Sequence, residues 1–495
     1  MSQHSSCSSK SSNSMLDSPR LATSPTTKRL LFIFGTSLAC ITFVQFFLAS
    51  RLDQEGSEEG AQLRQREQDT KFGKPFVPSK YLRTVPPNIS YDVCIVGAGL
   101  SGAVLAERYA KLLGRRSLVI ESRDHIGGNC YDYVDAETGI LMNLYGAHLF
   151  HTNNERVWQY VQSFQDRAPW VKWEHRVKGW IRGKLLPIPV NIDTVNALFN
   201  LNISSSSEMD AWLRSVQVPC SGSSPSSSRS SPSSHAVEGC ENAEAMALSR
   251  VGKQLYEWVF KRYTEKQWGR SPGELDAAIT ARIPVRNSSD PRYFTDKHQV
   301  LPLHGYTHWF EGLLQSPLIS VVLGVDFFSV QHSVQHRCGK TFFTGPVDRY
   351  FAKAGLGKLE YRSIRFEKEV VRDVGASFYQ ENSVVNYPGP EEGFTRIVEY
   401  KHFLQQRSKH TVIVKEFSTD AGDPYYPVLN QRNRDLHRQY QRLAEEEEHK
   451  KEVYFVGRLA NYKYFDMDAA IANALSVFER VEKMESLFDL KVGRG

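Results

Sequence analysis

Residues 91–102, YDVCIVGAGLSG, decide the fold, because an apolar run leads directly into three spaced glycines. Gly97 can turn the chain tightly out of a strand, Gly99 lets the backbone approach a pyrophosphate, and Gly102 lets the following helix pack closely on the sheet. After that helix a second apolar stretch ends in Glu121, whose carboxylate can accept hydrogen bonds from ribose hydroxyls. Strand, glycines, helix, strand and acid in this order predict a dinucleotide-binding βαβ unit.

A second pair of glycines follows Glu121, in the sequence RDHIGGN of residues 123–129. Such a pair soon after the acidic residue is a feature of chains that resemble the glutathione-reductase-like and amine-oxidase-like FAD proteins. The pair therefore favours FAD over NAD as the cofactor. The residues of this region that we predict to bind the cofactor are Gly97, Gly99, Gly102, Glu121, Arg123, Gly127, Gly128 and Asn129.

The composition is that of a folded, enzyme-sized protein. With 495 residues, of which 41% are hydrophobic, the chain is long and apolar enough for two or three domains. The net charge of +6 is small for this length and is spread along the chain, so a nucleic-acid partner is not expected. The seven cysteines show no metal-ligand spacing, and no metal site is predicted. Cys220 and Cys240 flank a Ser-rich loop, and a disulfide between them is left open.

The N-terminal part of the chain predicts a membrane anchor. Residues 1–29 form a Ser-rich tail, and residues 30–50 carry no formal charge and are long enough to span a bilayer as a helix. Basic residues precede this run and acidic residues follow it, so we expect a signal anchor with a cytosolic N-terminus, in a single-pass membrane protein of the Golgi or secretory pathway. A catalytic domain that faces the cytosol and a Ser-rich transit peptide are the alternatives. Sequons at Asn88, Asn202 and Asn287 are compatible with a secretory lumen.

The rest of the chain divides into a stalk and three modules. The predicted boundaries are a stalk at 51–88, the first part of the cofactor domain at 89–154, a helical substrate domain at 155–290 with a Ser-rich insert at 221–235, an antiparallel β-sheet domain with cofactor-domain returns at 291–450, and the C-terminal part of the cofactor domain at 451–490. Short β-branched and aromatic stretches between turn signals predict the antiparallel sheet from residue 319 onward. The predicted fold class is α/β, with a discontinuous Rossmann-like FAD-binding domain that encloses a helical and a β-sheet insertion.

Six separated motifs carry a resemblance to a known family. They are GAHLFHT at 146–152, YTEKQWG at 263–269, IPVR at 283–286, FTR at 394–396, DPYYP at 423–427, and GR at 457–458 with DMD at 466–468. In this order they resemble the bacterial-type UDP-galactopyranose mutases, from about residue 91 to about residue 485. The N-terminal segment and the Ser-rich insert depart from that family.

The resemblance implies an isomerase that interconverts UDP-galactopyranose and UDP-galactofuranose. In that family the FAD must be reduced, flavin N5 attacks the anomeric carbon and displaces UDP, and the ring contracts through a covalent flavin N5–galactose adduct without net redox change. A flavin reductant, such as NAD(P)H or a reductase, is therefore an implied partner. A homodimer is left open.

The resemblance also implies a catalytic set. Arginine suits the departing diphosphate because it keeps its charge and donates paired hydrogen bonds. Arg286 matches the family's mobile-loop arginine, and Arg396 matches the fixed arginine opposite it. His151 matches a residue near the flavin, and Asp466 matches a carboxylate near the sugar.

Further residues are assigned by the same resemblance to two groups. Those that bind substrate are Arg286, Arg396, Phe260, Tyr263, Trp268, Tyr293, Phe294, Tyr426 and Tyr464. Those that bind the cofactor, besides the glycine region, are His148, His151, Arg458 and Asp466.

Two other functions are left open by the sequence. An FAD-dependent amine or carotenoid oxidoreductase shares the cofactor domain but has no need of paired loop arginines. A catalytically silent UDP-sugar binder or scaffold would have no need of an intact flavin fingerprint.

Overall fold

The computed structural model describes residues 81–220 and 239–492, with side chains as far as residue 484. The predicted N-terminal tail, the anchor at 30–50, most of the stalk and the Ser-rich insert at 221–235 lie outside the described residues. The described part of the chain folds around a parallel and a mostly antiparallel sheet.

The predicted localisation requires a correction. Within residues 81–220 and 239–492, no helix combines the length and the apolar character that crossing a bilayer requires. The predicted anchor rested on one uncharged run, and the length and hydropathy of a run do not by themselves establish a membrane helix. The assignment as a single-pass membrane protein of the Golgi or secretory pathway is therefore wrong for the described chain and is withdrawn.

The strands of the described residues are β1 (Tyr91–Val96), β2 (Ser117–Glu121), β3 (Asp132–Val134), β4 (Leu141–Asn143), β5 (Phe150–Thr152), β6 (Trp170–Lys172), β7 (Val177–Ile181), β8 (Lys184–Ile188), β9 (His298–Pro302), β10 (Ile319–Leu323), β11 (Cys338–Phe343), β12 (Tyr361–Val371), β13 (Val384–Asn386), β14 (Arg396–Glu399), β15 (Thr411–Thr419), β16 (Tyr426–Pro427) and β17 (Val453–Phe455).

The α-helices of the described residues are α1 (Leu100–Leu113), α2 (Glu155–Gln162), α3 (Ile192–Phe199), α4 (Ser206–Val216), α5 (Ala243–Leu255), α6 (Arg262–Trp268), α7 (Ala278–Ala281), α8 (Tyr306–Leu313), α9 (Phe327–Val334), α10 (Val347–Tyr350), α11 (Gln431–Lys451) and α12 (Met467–Val492). A π-helical turn, Tyr256–Lys261, joins α5 to α6.

Local sequence explains where several helices begin and end. Asn154, Asn191 and Asn242 precede α2, α3 and α5, and each side chain accepts a hydrogen bond from a backbone N–H of the first turn. The helix α1 ends at Gly114, whose left-handed conformation (φ 63°) costs little without a side chain.

The parallel sheet is built from three separated parts of the chain. Its strand order is β10-β2-β1-β11-β17, and all neighbours run parallel. The helices α1 and α12 cover it, where Ala103, Val104, Ile471 and Ala474 pack with Ile95 in one buried cluster. The predicted α/β fold class with a discontinuous cofactor domain is confirmed.

The second sheet has the strand order β16-β12-β15-β14-β13-β7-β8, and only β13 and β7 run parallel. Its longest pairing joins β12 to β15 from Ser363 opposite Thr419 to Val371 opposite Thr411. Two differences from the sequence analysis stand out. The strands β10 and β11 belong to the parallel sheet, and the region expected to be helical contains β6, β7 and β8.

Two disulfides join cysteines of the described residues. Cys220 pairs with Cys240, across the ends of the segment 221–238, and Cys94 of β1 pairs with Cys338 of β11. The first is the pairing that the sequence left open, and the second was not predicted. Cys130 is buried as a free thiol.

Candidate active site

A cleft of about 340 Å³ lies at the ends of β1 and β2, where the glycine-rich turn begins. It is lined by residues of three sequence motifs and by neighbours from the late strands. The predicted cofactor-binding residues among them are Gly97, Gly99, Glu121, Arg123, Gly127, Gly128, Asn129, His148, Arg458 and Asp466.

Gly99 and Gly102 have different functions in the cradle that the glycine-rich turn forms. A Cβ on Gly102 would lie 1.9 Å from the carbonyl oxygen of Gly97, so only glycine allows α1 to start so close to β1. A Cβ on Gly99 would meet nothing closer than Gly128 Cα at 3.6 Å. Gly99 therefore leaves open space at the start of α1, where backbone N–H groups favour an anion.

Glu121 ends β2 and is buried beneath the cleft. Its Oε2 accepts a hydrogen bond from the Ala98 N–H at 2.8 Å, and its Oε1 accepts one from the Arg123 N–H at 2.9 Å. Oε1 also accepts from the Ser122 hydroxyl at 3.2 Å, so Oε2 is the oxygen that retains a lone pair for a further donor such as a ribose hydroxyl. The Arg123 guanidinium bridges Asn129 Oδ1 and Asp423 Oδ2, both at 2.9 Å.

His148 lines the cleft and donates from Nδ1 to the Gly146 carbonyl at 2.8 Å, which leaves Nε2 as an acceptor in the neutral ring. Burial lowers the pKa of His148 to about 4. Arg458 also lines the cleft, but its guanidinium donates to the carbonyls of Phe465 and Tyr425. The shape, the acidic residue and the exposed N–H groups of this cradle fit the pyrophosphate and ribose of FAD.

An aromatic wall, formed by Trp268, Tyr426 and Tyr464, lies beside the cleft. The rings of Tyr426 and Tyr464 stack with centroids 5.2 Å apart, and Trp268 lies 6.1 Å from Tyr464. The Arg458 guanidinium lies 5.3 Å from the ring centroid of Tyr426. Because Arg458 belongs to the cleft, the wall borders it directly.

Arg396 opens β14 and pairs across the sheet with Glu416 of β15. Its Nε donates to the buried Glu416 carboxylate at 2.6 Å. Burial disfavours the charged guanidinium, but the Glu416 carboxylate outweighs this effect, so the pKa of Arg396 is raised. No described residue accepts a hydrogen bond from its two terminal nitrogens.

Arg286 is not brought to the aromatic wall. Its Nη2 donates to the carbonyls of Arg292 and Tyr293, at 2.6 and 3.3 Å, and its Nη1 lies 3.5 Å from Asp290. The guanidinium is thus held by its own loop, and no described contact joins it to Arg396.

A second aromatic group contains three of the predicted residues. His151 stacks on Phe294 with centroids 3.7 Å apart, and Tyr293 meets the edge of Phe294 at 5.0 Å. The Nδ1 of His151 lies 3.0 Å from the Asp296 carboxylate. Tyr263, on α6, has a raised pKa because of burial, and Arg396 and Tyr293 are among its charged or polar neighbours.

Phe260 is placed differently from the other predicted aromatics. It is only 5% exposed and packs in a core cluster with Val195 and Leu255. Its assignment to substrate binding stays a prediction.

Several residues at the site were missed by the sequence analysis. Asp423 holds Arg123, Glu416 holds Arg396, and His175 lies under Phe294. Arg282 stacks over Tyr464. Asp423 falls within a quoted motif and could have been considered, whereas nothing in the sequence marks the other three.

Comparisons with known proteins agree with this geometry. Residues 258–464 match the UDP-galactopyranose mutase family, and residues 95–164 match the NAD(P)-binding Rossmann-like domain. A probable UDP-galactopyranose mutase of Klebsiella pneumoniae is 36% identical over 388 residues, which cover 78% of this chain and 93% of that protein. A dTDP-fucopyranose mutase of Escherichia coli is 35% identical over 396 residues, which cover 77% of this chain and 96% of that protein.

A solved structure of a reduced UDP-galactopyranose mutase superposes with a TM-score of 0.60 at 15% identity, covering 80% of this chain and 94% of that one. At this identity the likeness shows the fold. The cofactor of the protein is FAD, for which the cleft supplies the fitting residues. The chain belongs to the UDP-galactopyranose mutase family, and it is an isomerase that interconverts pyranose and furanose forms of a nucleotide sugar.

Proposed function

We propose that the protein interconverts UDP-galactopyranose and UDP-galactofuranose on reduced FAD. The observation that carries this proposal is the position of Arg396. Glu416 fixes its Nε, and its two terminal nitrogens have no acceptor among the described residues. Such a guanidinium can take a diphosphate by paired hydrogen bonds.

FAD, when bound in its reduced state, supplies at N5 a nucleophile for the anomeric carbon, without net redox change. The protein must then hold UDP close to the sugar while the bond between them is broken. Arginine charge and hydroxyl donors aimed at the diphosphate stabilise this separation. We propose NAD(P)H or a reductase as the source of electrons.

The aromatic wall provides those hydroxyl donors. Burial raises the pKa of Tyr426 to about 12, so its hydroxyl keeps its proton and can donate to the diphosphate. We propose the same role for Tyr464 and a place beside the sugar for Trp268. Tyr263, Tyr293 and Phe294 would receive the uracil.

Arg286 and the residues nearest the flavin complete the assignment. We propose that Arg286 leaves the carbonyls of its loop and reaches the diphosphate when substrate binds. His151, held by Asp296, would position the flavin side of the site, and Asp466 would lie near the sugar. We also propose the domain boundaries at 154, 290 and 450 that the sequence predicts.

The test uses the full chain loaded with FAD, reduced chemically, and given UDP-galactofuranose. Anion-exchange chromatography follows the pyranose product. We expect conversion with reduced FAD and none with oxidised FAD. A net absorbance change of the flavin that depends on substrate would instead indicate an oxidoreductase, and binding without conversion would indicate a silent binder.

One variant tests the arginine assignment directly. Arg286→Ala should lower kcat by roughly 100-fold or more, the usual effect of removing one donor to developing charge. The control is Arg262→Ala, because Arg262 is exposed and pairs with Glu265 on the surface of α6. Unchanged turnover in Arg286→Ala would remove Arg286 from the mechanism.

A second substrate deserves the same assay, because a dTDP-fucopyranose mutase is nearly as similar to this chain. We expect dTDP-fucopyranose to be a poorer substrate than UDP-galactopyranose. A higher kcat/KM for dTDP-fucopyranose would reassign the nucleotide sugar but keep the ring contraction.

A further inference from the structure

Arg282 is an arginine of the site to which neither the motifs nor the resemblance gave a role. It directly follows α7 and is exposed to solvent. Its guanidinium carbon lies 4.2 Å from the ring centroid of Tyr464 in the aromatic wall. Tyr293, Tyr426 and Asp466 are its other electrostatic neighbours.

This stacking fixes the guanidinium without using its hydrogen bonds. An arginine that lies over an aromatic face keeps its N–H groups directed outward in its own plane. No described residue accepts a hydrogen bond from Arg282 or lies within ion-pair distance of it. An unpaired surface arginine usually has only a solvated charge, but this one is ordered against a wall predicted to receive a diphosphate.

The other arginines of the site are already partly compensated. Arg396 donates to Glu416 at 2.6 Å, Arg286 lies 3.5 Å from Asp290, and Arg458 donates to backbone carbonyls. The two carboxylates cancel much of the positive potential that a doubly charged diphosphate would meet. Arg282 has no carboxylate within ion-pair distance and only Asp466 as a more distant acidic neighbour, so its charge is less compensated than that of Arg286 or Arg396.

We propose that Arg282 binds the diphosphate of the nucleotide sugar, as a cation additional to Arg286 and Arg396. This inference rests on the proposed function, because it presumes that UDP occupies the aromatic wall. It predicts that Arg282 contributes to the binding of the phosphates and not to the binding of the uridine.

The experiment measures UDP and uridine binding to the FAD-loaded full chain by calorimetry. Arg282→Met should raise the Kd for UDP about tenfold, as expected for a lost charged hydrogen bond. The Kd for uridine should stay within twofold of the wild-type value. Arg282→Lys should lie between wild type and Arg282→Met, because it keeps the charge but loses the planar fork.

The control variant is Arg262→Met, which should bind both ligands as the wild type does. A Kd for UDP within twofold of wild type in Arg282→Met would overturn the inference. Equal weakening of UDP and uridine would overturn it too, because that pattern indicates a distorted site. If the wild-type chain bound no UDP at all, the proposed function would fail instead.

Discussion

At the scale of single residues, two glycines of residues 97–102 serve different purposes: Gly102 is needed for folding, and Gly99 is needed for cofactor binding. Gly102 has no room for a Cβ, which would lie 1.9 Å from a backbone oxygen, whereas a Cβ on Gly99 would meet ordinary contacts. Gly99 also lines the cleft and has a negative φ of −80°, which other residues adopt. A methyl group at Gly99 would therefore project into the cofactor's space without disturbing the chain.

We predict that Gly99→Ala folds normally but binds FAD about tenfold more weakly, since overpacking costs roughly 1–3 kcal/mol. Gly102→Ala should instead destabilise the apoprotein by several kcal/mol or prevent folding. Urea unfolding of the apoprotein and titration of flavin fluorescence measure the two effects. The same loss of unfolding free energy in both variants would contradict this separation.

The sequence predicted such residues only where a motif fixes the local backbone. Gly97, Gly99 and Glu121 lie within one βαβ unit, so their spacing along the chain determines their positions. Arg282 and Tyr464 come together only through tertiary packing. A single sequence carries no signal for that proximity.

At the scale of elements, Lys266 fastens α6 to the loop that leads into β14. Its three N–H donors are shared among the carbonyls of Tyr387, Gly389, Glu392 and Phe394, the last three at 2.9–3.1 Å. The helix α6 carries two residues assigned to substrate, and β14 begins with a third. This ammonium group is therefore one of the contacts that hold the two sides of the proposed site together.

Replacing Lys266 with Met would leave these carbonyls without their donor. We predict that Lys266→Met loses roughly 2–4 kcal/mol of unfolding free energy, because each buried unsatisfied group costs about 1–3 kcal/mol and water reaches some of them. Its kcat should fall as well, because the loop that leads into Arg396 is no longer held by Lys266. Urea unfolding and the turnover assay measure the two losses.

The matched control is Lys261→Met, since Lys261 only forms a surface pair with Glu257. That variant should stay within about 0.5 kcal/mol of wild type. A Lys266→Met protein that matched this control in both assays would show that the loop is held by other contacts.

Elements could be predicted where periodicity and flanking turns agree, as for β1, α1, β2 and α12. The strands β10 and β11 were assigned to the wrong sheet because a short apolar run has the same sequence pattern whether the strand belongs to a parallel or an antiparallel sheet. A strand of a parallel sheet is usually buried on both faces, and the burial of β10 and β11 is visible only in the folded chain. The strands β6 to β8 are short and interrupted by polar residues, so the helical pattern around them dominated.

At the scale of the whole molecule, buried histidines determine the response to acid. Burial lowers the pKa values of His125 and His175 to about 3 and that of His148 to about 4. In the unfolded chain these residues titrate near 6.5. Below that pH the unfolded state binds protons that the folded state does not, so stability falls as the pH falls from 6.5 towards 4.

We predict that the free energy of unfolding at pH 5.5 is lower than at pH 7 by roughly 3 kcal/mol. Each histidine contributes about 1.4 kcal/mol per pH unit, and Asp132, whose pKa burial raises to about 6, offsets part of the loss. Urea unfolding at the two pH values measures the difference. His175→Leu should reduce it by about 1.3 kcal/mol, roughly two fifths, whereas His332→Leu, at an exposed position, should not change it. An equal pH dependence in wild type and His175→Leu would contradict this account.

The order of strands in the parallel sheet also affects how the chain folds during its synthesis. The strand β1 pairs with β11, and β11 pairs with β17, so Thr341 finds its partner Val453 only near the end of synthesis. A ribosome that adds about 5–20 residues per second needs roughly 20 to 70 seconds to pass from β1 to β17. During that interval the apolar surface of α1 that packs against α12 has no partner. We therefore expect the yield in a cell to depend on chaperones that shield this surface until α12 has been made.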